Sequence, residues 1–364
     1  LTNLSKKIKS LSSIVSIAIT GSAGKTSLKE ILAYSFAKYY PTTYSKKSFN
    51  NHLGVPLSLF DISNEKFGIF EVGMDKKGEI DFLTKIIKPN LGIITNISYA
   101  HAKNFKNLQG IANAKSEIIN NIKNNGIIVL NRDDEFFNFF RKKALKRKLK
   151  IISFGKSHKS QINLQKTIEQ KNCFKLILNI HKKKKIFFIK KNYISHLTNI
   201  LAATAVLSNF ISADKLNKNL FYNLSLIDGR GNLLKLNFGS KIVNLVDESY
   251  NSNPLSLKFS IDNFNSMKTN NNKKYVVLGD MLELGKFSRK LHLDAAKAIN
   301  NSSINKVFVY GNKIKNTFNK IKTQKKGRIF DKRSKIIDFI KYEIPNNSYL
   351  MIKGSNATGL RDIV

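Results

Sequence analysis

A chain of 364 residues exceeds what one ordinary hydrophobic core holds, so two domains are the starting expectation. Its 42% hydrophobic content is that of a globular protein, and no apolar run approaches the roughly eighteen residues of a membrane span, which argues against stable membrane insertion. Lysine and arginine number 63 against 24 aspartates and glutamates, a charge of +39 that could draw nucleic acid; yet the basic residues are scattered, and runs such as Arg141 to Lys150 and Lys182 to Lys185 read as solvated faces.

Nucleic acid is therefore not an expected partner, although the field would still favour a polyanionic substrate. The abundance of Lys, Asn, Ile and Phe together fits a coding bias toward A/T-rich codons.

In chain order, short apolar runs alternate with helical patterns: Ile14 to Thr20 followed by a helix, then Phe67 to Val72, Leu91 to Asn96 and Gly126 to Asn131. This rhythm predicts a mostly parallel sheet flanked by helices. Three alternating runs between Gln161 and Lys190 read as a small antiparallel appendage, and His196 to about Phe210 as a helix. The single cysteine, Cys173, lies in one of those runs and reads as a small buried side chain; alone, it excludes an internal disulfide framework and fits a reducing compartment. Gly229-Arg230-Gly231 breaks the pattern, and a second series of strands follows at Ile242 to Val246, Tyr275 to Leu278, Lys306 to Tyr310, Arg328 to Phe330 and Tyr349 to Ile352. The predicted organisation is one α/β domain over residues 1–229 and a doubly wound, Rossmann-like α/β domain over 230–364.

Chemistry concentrates where the first strand meets its helix, at Gly21-Ser22-Ala23-Gly24-Lys25-Thr26-Ser27. Glycines let main-chain N–H groups converge on phosphate, the helix N-terminus adds positive potential, Lys25 is placed to reach the terminal phosphates and the Thr26 hydroxyl can ligate magnesium. Ile19 stands where the commonest spacing has an outer glycine. Glu71 closes the next apolar strand and His101 follows a third, and strand ends of such sheets open onto the ligand crevice. A carboxylate there suits magnesium, and imidazole is a less usual ligand for it.

These segments resemble the Mur ligases, and several resemble the MurF branch. The resemblance is carried by residues 21–27, by Asn50-Asn-His-Leu-Gly-Val-Pro56, by Glu71-Val-Gly-Met74 with Gly78-Glu-Ile80, and by Ala100-His101. It continues through Ala112-Asn-Ala-Lys115-Ser-Glu-Ile118, Leu130-Asn-Arg-Asp-Asp134, Asp247-Glu-Ser-Tyr-Asn-Ser-Asn-Pro254, Val277-Leu-Gly-Asp-Met-Leu-Glu-Leu-Gly285 and Lys353-Gly-Ser355, in the family's order along nearly the whole chain.

The resemblance implies a bacterial, cytoplasmic, monomeric peptide ligase that uses ATP and magnesium to add D-alanyl-D-alanine to a UDP-muramoyl-tripeptide through an acyl phosphate. It implies metal binding by Thr26, Glu71, His101 and Lys115, the last matching a lysine that is carbamylated in these enzymes. Asn199 matches an adenine contact, Arg230 a hinge arginine that reaches the phosphates, and Glu248 a ribose contact where the family more often has aspartate. His196 falls one place late against the family's Gly-x-His-Asn pattern. Asn50 and Asn51 match a segment facing the muramoyl substrate, while Asn251, Asn253, Lys353 and Ser355 match stretches near the incoming dipeptide; turn formation competes for every asparagine. The family's N-terminal UDP-binding domain is not represented in the roughly twenty residues ahead of the phosphate loop. Rival expectations are a folylpolyglutamate synthase-like or single-amino-acid-adding ligase, a nucleic-acid-dependent P-loop ATPase, and a catalytically degenerate scaffold.

Overall fold

The computed structural model describes every residue except Leu226 and Asn270, and it divides into two compact units. The first comprises Leu1–Ile97 and Asn104–Leu224; the second comprises Ser225–Val364 together with the short segment Ser98–Lys103. The glycine-bounded break at Gly229-Arg230-Gly231 falls just inside the second unit, and the excursion of residues 98–103 has no counterpart in the hydrophobic periodicity.

In the first unit the order is α1 (Thr2–Leu11), β1 (Val15–Thr20), α2 (Lys25–Ala37), β2 (Thr42–Tyr44), α3 (Gly54–Phe60), β3 (Phe67–Glu71), α4 (Glu79–Ile87) and β4 (Leu91–Ile94). There follow α5 (Leu108–Lys115), α6 (Glu117–Asn120), β5 (Ile127–Asn131), α7 (Phe137–Lys146), β6 (Lys150–Gly155), β7 (Ile162–Glu169), β8 (Cys173–Ile180), β9 (Lys183–Lys190) and α8 (Leu197–Leu207). Nine strands form one sheet in the order β2-β3-β1-β4-β5-β6-β7-β8-β9. Every residue of β3 and β4 is buried, as expected of parallel strands covered on both faces, and this is why they read as unbroken apolar runs. Phe36 of α2 stacks on Phe67 of β3 with ring centroids 4.4 Å apart, locking the first helix to the sheet.

The alternating strands form the expected antiparallel set at one end of the first unit. β7 pairs parallel with β6 through Phe154↔Ile162 and Gly155↔Asn163, so the antiparallel β7-β8-β9 meander extends the main sheet. Cys173 departs from expectation: it opens β8 half-exposed, with its thiol 3.1 Å from the Gln170 side-chain carbonyl, because inward burial on that strand falls on Leu176, Leu178 and Ile180.

The second unit contains β10 (Asn232–Phe238), β11 (Lys241–Glu248), α9 (Pro254–Ser266), β12 (Lys274–Gly279), α10 (Ser288–Asn300), β13 (Lys306–Tyr310), α11 (Lys315–Lys320), β14 (Lys326–Phe330), α12 (Arg333–Asp338) and β15 (Ser348–Lys353). Its sheet runs β10-β11-β15-β12-β13-β14, parallel except for the antiparallel edge strand β10. Two apolar clusters flank it, one around Val276, Leu278, Val307 and Ile261, the other around Val277, Phe308, Phe339 and Leu350. Alternate residues of β12 thus face opposite layers, as the two-residue period of a strand requires.

Strand order places the ligand crevice in each sheet. In the first, β1 lies between β3 and β4, so the chain passes over it and the crossovers diverge at its carboxyl end; in the second, the crossover from β11 to β12 passes over the place that β15, the last strand, fills. Open α/β sheets bind ligands outside such switch points.

Candidate active site

At the first switch point the chain leaves β1, turns through Gly21 to Gly24 and enters α2 at Lys25. Gly21 has φ +148°, and a Cβ there would stand 1.8 Å from Thr95 Oγ1; Gly24 has φ +81°, and a Cβ there would meet Asn199 Oδ1 at 2.9 Å. Both positions therefore demand glycine, the first because the exit of β4 presses on it and the second because α8 lays Asn199 over the loop. The loop is braced from beside: the Thr95 hydroxyl donates to the Ala23 carbonyl at 2.7 Å, and the Ala23 N–H donates to the Asn96 side-chain oxygen at 2.9 Å. Ser22 N–H donates to the Asn96 main-chain carbonyl at 3.0 Å, so two of the loop's amides hold the loop in shape. Lys25 folds back to donate to the Gly21 carbonyl at 2.9 Å, Thr26 is buried, and Ser27 sits half-buried on the first turn of α2. Thr95 and Asn96 were not singled out as loop supports by their residue types; what marks them is the register Thr20↔Ile94, which sets them beside the loop.

Glu71 ends β3 opposite Ile19, the penultimate residue of β1, and is 1% exposed. Its Oε1 accepts from the Asn50 side-chain amide at 2.8 Å, while Oε2 is buried and without a hydrogen-bond partner among the described residues. An orphaned buried carboxylate oxygen costs on the order of several kcal/mol unless a cation meets it, so this position fits a divalent metal. Lys115 closes α5 at 1% exposure. Desolvation by burial drives its amine well below the ordinary 10.5, the positive charge of Lys25 pushes the same way, and Glu71 opposes both. Lys25, Glu71 and Lys115 are thus electrostatic neighbours, with the hydroxyl of Thr26 next to Lys25 in the chain. Lys29, one turn along α2, is fully buried, pairs with Glu30 at 3.0 Å and donates to the carbonyls of Ser45 and Lys47, anchoring the segment that leads into Asn50. Only its helical spacing from Lys25 hinted at it.

Several motif residues turn out to build the frame. Asn51 accepts from the N–H groups of Leu53 and Gly54 and so fixes the turn that leads into α3. Glu117 accepts from Gly78 and Asp81 at the start of α4. Asp134 takes the Ile97 N–H at 2.7 Å, and Asn131 donates to the Thr95 carbonyl at 3.0 Å, tying the ends of β4 and β5 together.

In the second unit, register aligns Glu248 of β11 with Lys353 of β15 at the switch point. Lys353 is 2% exposed, 3.3 Å from Glu248 Oε2 and 3.1 Å from the Asn251 carbonyl; burial lowers its amine, and Glu248 partly restores it. Arg230 lies over the Tyr250 ring at 4.2 Å. Ser355 accepts from the Leu282 N–H at 2.8 Å and donates to the Ser252 carbonyl at 3.2 Å. Asn251 is exposed, and its side chain accepts from the Ser252 N–H at 2.8 Å. Asn253 caps α9 in a reciprocal capping box with Ser256, with Pro254 at the first helical position. Asp280 accepts from the Ile314 N–H at 2.7 Å. His292 accepts from the Met281 N–H through Nε2 and meets the Ser288 carbonyl through Nδ1, which fixes a neutral ring. His101, at φ +55°, belongs to the segment that clusters with this unit, and its Nδ1 lies 2.7 Å from Glu283 Oε2, a contact that holds the Glu283 carboxyl below its usual range. The site residues expected from sequence thus divide: Lys25, Thr26, Glu71, Lys115, Asn50 and Asn199 lie in the first unit, and His101, Arg230, Glu248 and Lys353 in the second.

Residues 19–207 match the Mur ligase middle domain, and residues 230–356 match the Mur ligase glutamate ligase domain. The chain belongs to the Mur ligase family. This Mur ligase is 31% identical over 355 residues to the UDP-N-acetylmuramoyl-tripeptide--D-alanyl-D-alanine ligase of Rickettsia prowazekii, covering 96% of the chain and 77% of that protein. The enzyme of the same name from Bacillus subtilis is 32% identical over 297 residues, 81% of the chain and 62% of that protein. Among solved structures, MurF from Acinetobacter baumannii superimposes with a TM-score of 0.87 at 24% identity, over 100% of this chain and 78% of the other. MurF from Thermotoga maritima in complex with ADP gives 0.87 at 23% identity, over 100% and 81%. These structural likenesses carry the α/β architecture of both units. No helix among the described residues is long and apolar enough to cross a membrane.

Proposed function

We propose that this Mur ligase joins D-alanyl-D-alanine to a UDP-N-acetylmuramoyl-tripeptide, with ATP as co-substrate, as a monomer in the bacterial cytoplasm during peptidoglycan precursor synthesis. The observation that carries the reading is the match to relatives of that name along 96% of the chain, joined to a phosphate loop beside a buried, half-satisfied carboxylate. In the reaction the tripeptide's terminal carboxylate oxygen attacks the γ-phosphorus of ATP and ADP leaves. The amine of the dipeptide then attacks the acyl carbon, the C–O bond to phosphate breaks, inorganic phosphate departs and the amine gives up a proton.

The proposed roles follow the two domains at residues 1–229 and 230–364. Residues Gly21 to Ser27 cradle the phosphates, and Lys25 places a positive charge where charge develops on the transferring group. Thr26 and Glu71, with His101 and Lys115, form the set that would hold magnesium, which when bound neutralises phosphate charge. A neutral Lys115 amine adds to carbon dioxide with loss of one proton, which turns a cation into a carbamate suited to a hard metal; its burial supports that reading. Asn199, Arg230 and Glu248 are the proposed nucleotide contacts. Asn50, Asn251, Lys353 and Ser355 are the proposed substrate contacts; the side chains of Asn51 and Asn253 are spent on main-chain N–H groups, which assigns these two to the frame.

Phosphate release measured with UDP-muramoyl-tripeptide, ATP and magnesium, using D-alanyl-D-alanine, D-alanine or glutamate as acceptor, tests the assignment. Turnover with the dipeptide alone is expected. Turnover with glutamate instead would make the chain a folylpolyglutamate synthase-like ligase, and hydrolysis stimulated by DNA or RNA with steep salt dependence would make it a nucleic-acid ATPase.

A further inference from the structure

Lys29 is a buried cation that the proposed chemistry does not use. It stands one turn beyond Lys25 on α2 and is fully buried. Its ammonium donates to the carbonyls of Ser45 and Lys47 and pairs with Glu30 at 3.0 Å, which accounts for all three of its N–H groups. The Tyr44 ring centroid lies 5.6 Å away. Taking a cation out of water is costly unless every donor is met, and here each is. With its donors committed, Lys29 has none left for a phosphate; what it grips is the segment between β2 and α3.

That segment in turn holds Glu71 at two points. Ser45 donates its N–H to the Ile69 carbonyl at 3.0 Å, and its hydroxyl accepts the Glu71 N–H at 3.3 Å. Asn50 donates its side-chain amide to Glu71 Oε1 at 2.8 Å, and its carbonyl accepts the Gly73 N–H at 2.8 Å. A Cβ on Gly73 would stand 2.9 Å from Asn50 Oδ1, so the asparagine is seated directly against the chain beyond β3. Between Ser45 and Asn50, Lys47 has φ +46°, in the left-handed region that residues other than glycine seldom adopt. Such a conformation persists where the surroundings fix it, and the carbonyl held by Lys29 does so. Because Glu71 Oε2 is buried without a hydrogen-bond partner among the described residues, the hold of Asn50 on Oε1 decides where Oε2 points.

We propose that Lys29 is a positioning residue: by gathering the Ser45 and Lys47 carbonyls it sets Asn50, and through Asn50 it orients the Glu71 carboxylate with Oε2 presented to a divalent cation. The inference rests on the reading of Glu71 as a metal ligand. Hydrogen bonds behind a ligand orient it, and their loss weakens metal binding by about 10- to 100-fold.

Titration of the full chain with Mn²⁺ alone, followed by the electron paramagnetic resonance of the free ion, reads the cation site without turnover; calorimetric titration with ATP in EDTA reads nucleotide binding without metal. Lys29→Met and Asn50→Ala are each expected to weaken Mn²⁺ binding about tenfold and to leave metal-free ATP affinity unchanged. The double variant is expected to bind Mn²⁺ no more weakly than either single one, because losses along one relay do not add. Additive losses would show the two residues acting separately and overturn the proposal. A loss of metal-free ATP affinity in Lys29→Met would also overturn it, assigning the lysine to support of the phosphate loop. Should Lys29→Met not fold, Lys29→Gln, one atom shorter but with amide donors to offset its burial, is read by the same criteria. If Glu71→Gln weakens Mn²⁺ binding and the Lys29 variant does not, the relay is refuted and the reading of Glu71 stands. If Glu71→Gln leaves Mn²⁺ binding unchanged, that reading fails and the relay falls with it.

Discussion

In the first unit Glu71 and Lys115 are buried and Lys25 is half-buried; burial drives the Lys115 amine well below its ordinary range, Lys25 pushes the same way and Glu71 opposes, and one oxygen of Glu71 has no hydrogen bond among the described residues. In the second unit, residues from equally diagnostic segments are consumed by the fold: Asp280 takes a main-chain N–H, His292 bridges a main-chain N–H and a main-chain carbonyl, and Asn253 caps a helix. Both sets sit at or near a sheet's switch point and both resemble the family pattern equally well. What separates a reactive residue from a framing one is whether its hydrogen-bonding capacity is already used, and residue identity does not reveal that.

The comparison can be broken at four points. Lys25→Met should have the largest effect, a fall in ligation rate on the order of a thousandfold with the fold intact by circular dichroism, because it removes charge from the transferring phosphoryl group. Retained activity would strip the first unit of its catalytic standing. Lys115→Ala should lower the rate about a hundredfold. Added acetate should restore part of it if a carboxylate-like group is what the position supplies, and absence of rescue would point to a structural lysine instead.

Asn253→Ala should cost about 1 kcal/mol of stability as a lost helix cap, with the dipeptide KM unchanged. A raised KM with unaltered stability would move this asparagine from the frame to the site. The smallest effect concerns Lys9, which is buried on α1, remote in sequence from any motif, and pushed down to about 8 by desolvation with help from Lys123 and Lys88. Between that value and the ordinary 10.5 the unfolded chain binds this proton and the folded chain does not, so stability rises as pH rises through the window and is lost as pH falls. Lys9→Met should flatten that dependence and raise the thermal midpoint by roughly 2–4 °C near neutral pH. An unchanged pH profile would show that Lys9 keeps its charge in the folded chain.

The parallel strands and the phosphate loop were legible because fully buried strands read as unbroken apolar runs and because glycines at 21 and 24 serve backbone geometry that no other residue tolerates. Glu71 was legible as a charge ending such a run. The bracing of the loop by Thr95 and Asn96, the burial of Lys29 and the approach of Asn199 to Gly24 were not, since each depends on contacts between elements distant in sequence. The extension of the main sheet by β7 escaped for a related reason: alternation reveals that one face is buried, but not which strand lies alongside. The excursion of residues 98–103 has no periodic signal at all.

Isotope transfer tests the chemistry most directly. With oxygen-18 in the terminal carboxylate of UDP-muramoyl-tripeptide, turnover with ATP, magnesium and D-alanyl-D-alanine should place one labelled oxygen in the inorganic phosphate released, and Lys25→Met should abolish that transfer. Peptide-bond formation that leaves the phosphate unlabelled would contradict activation of the carboxylate by phosphoryl transfer at this loop.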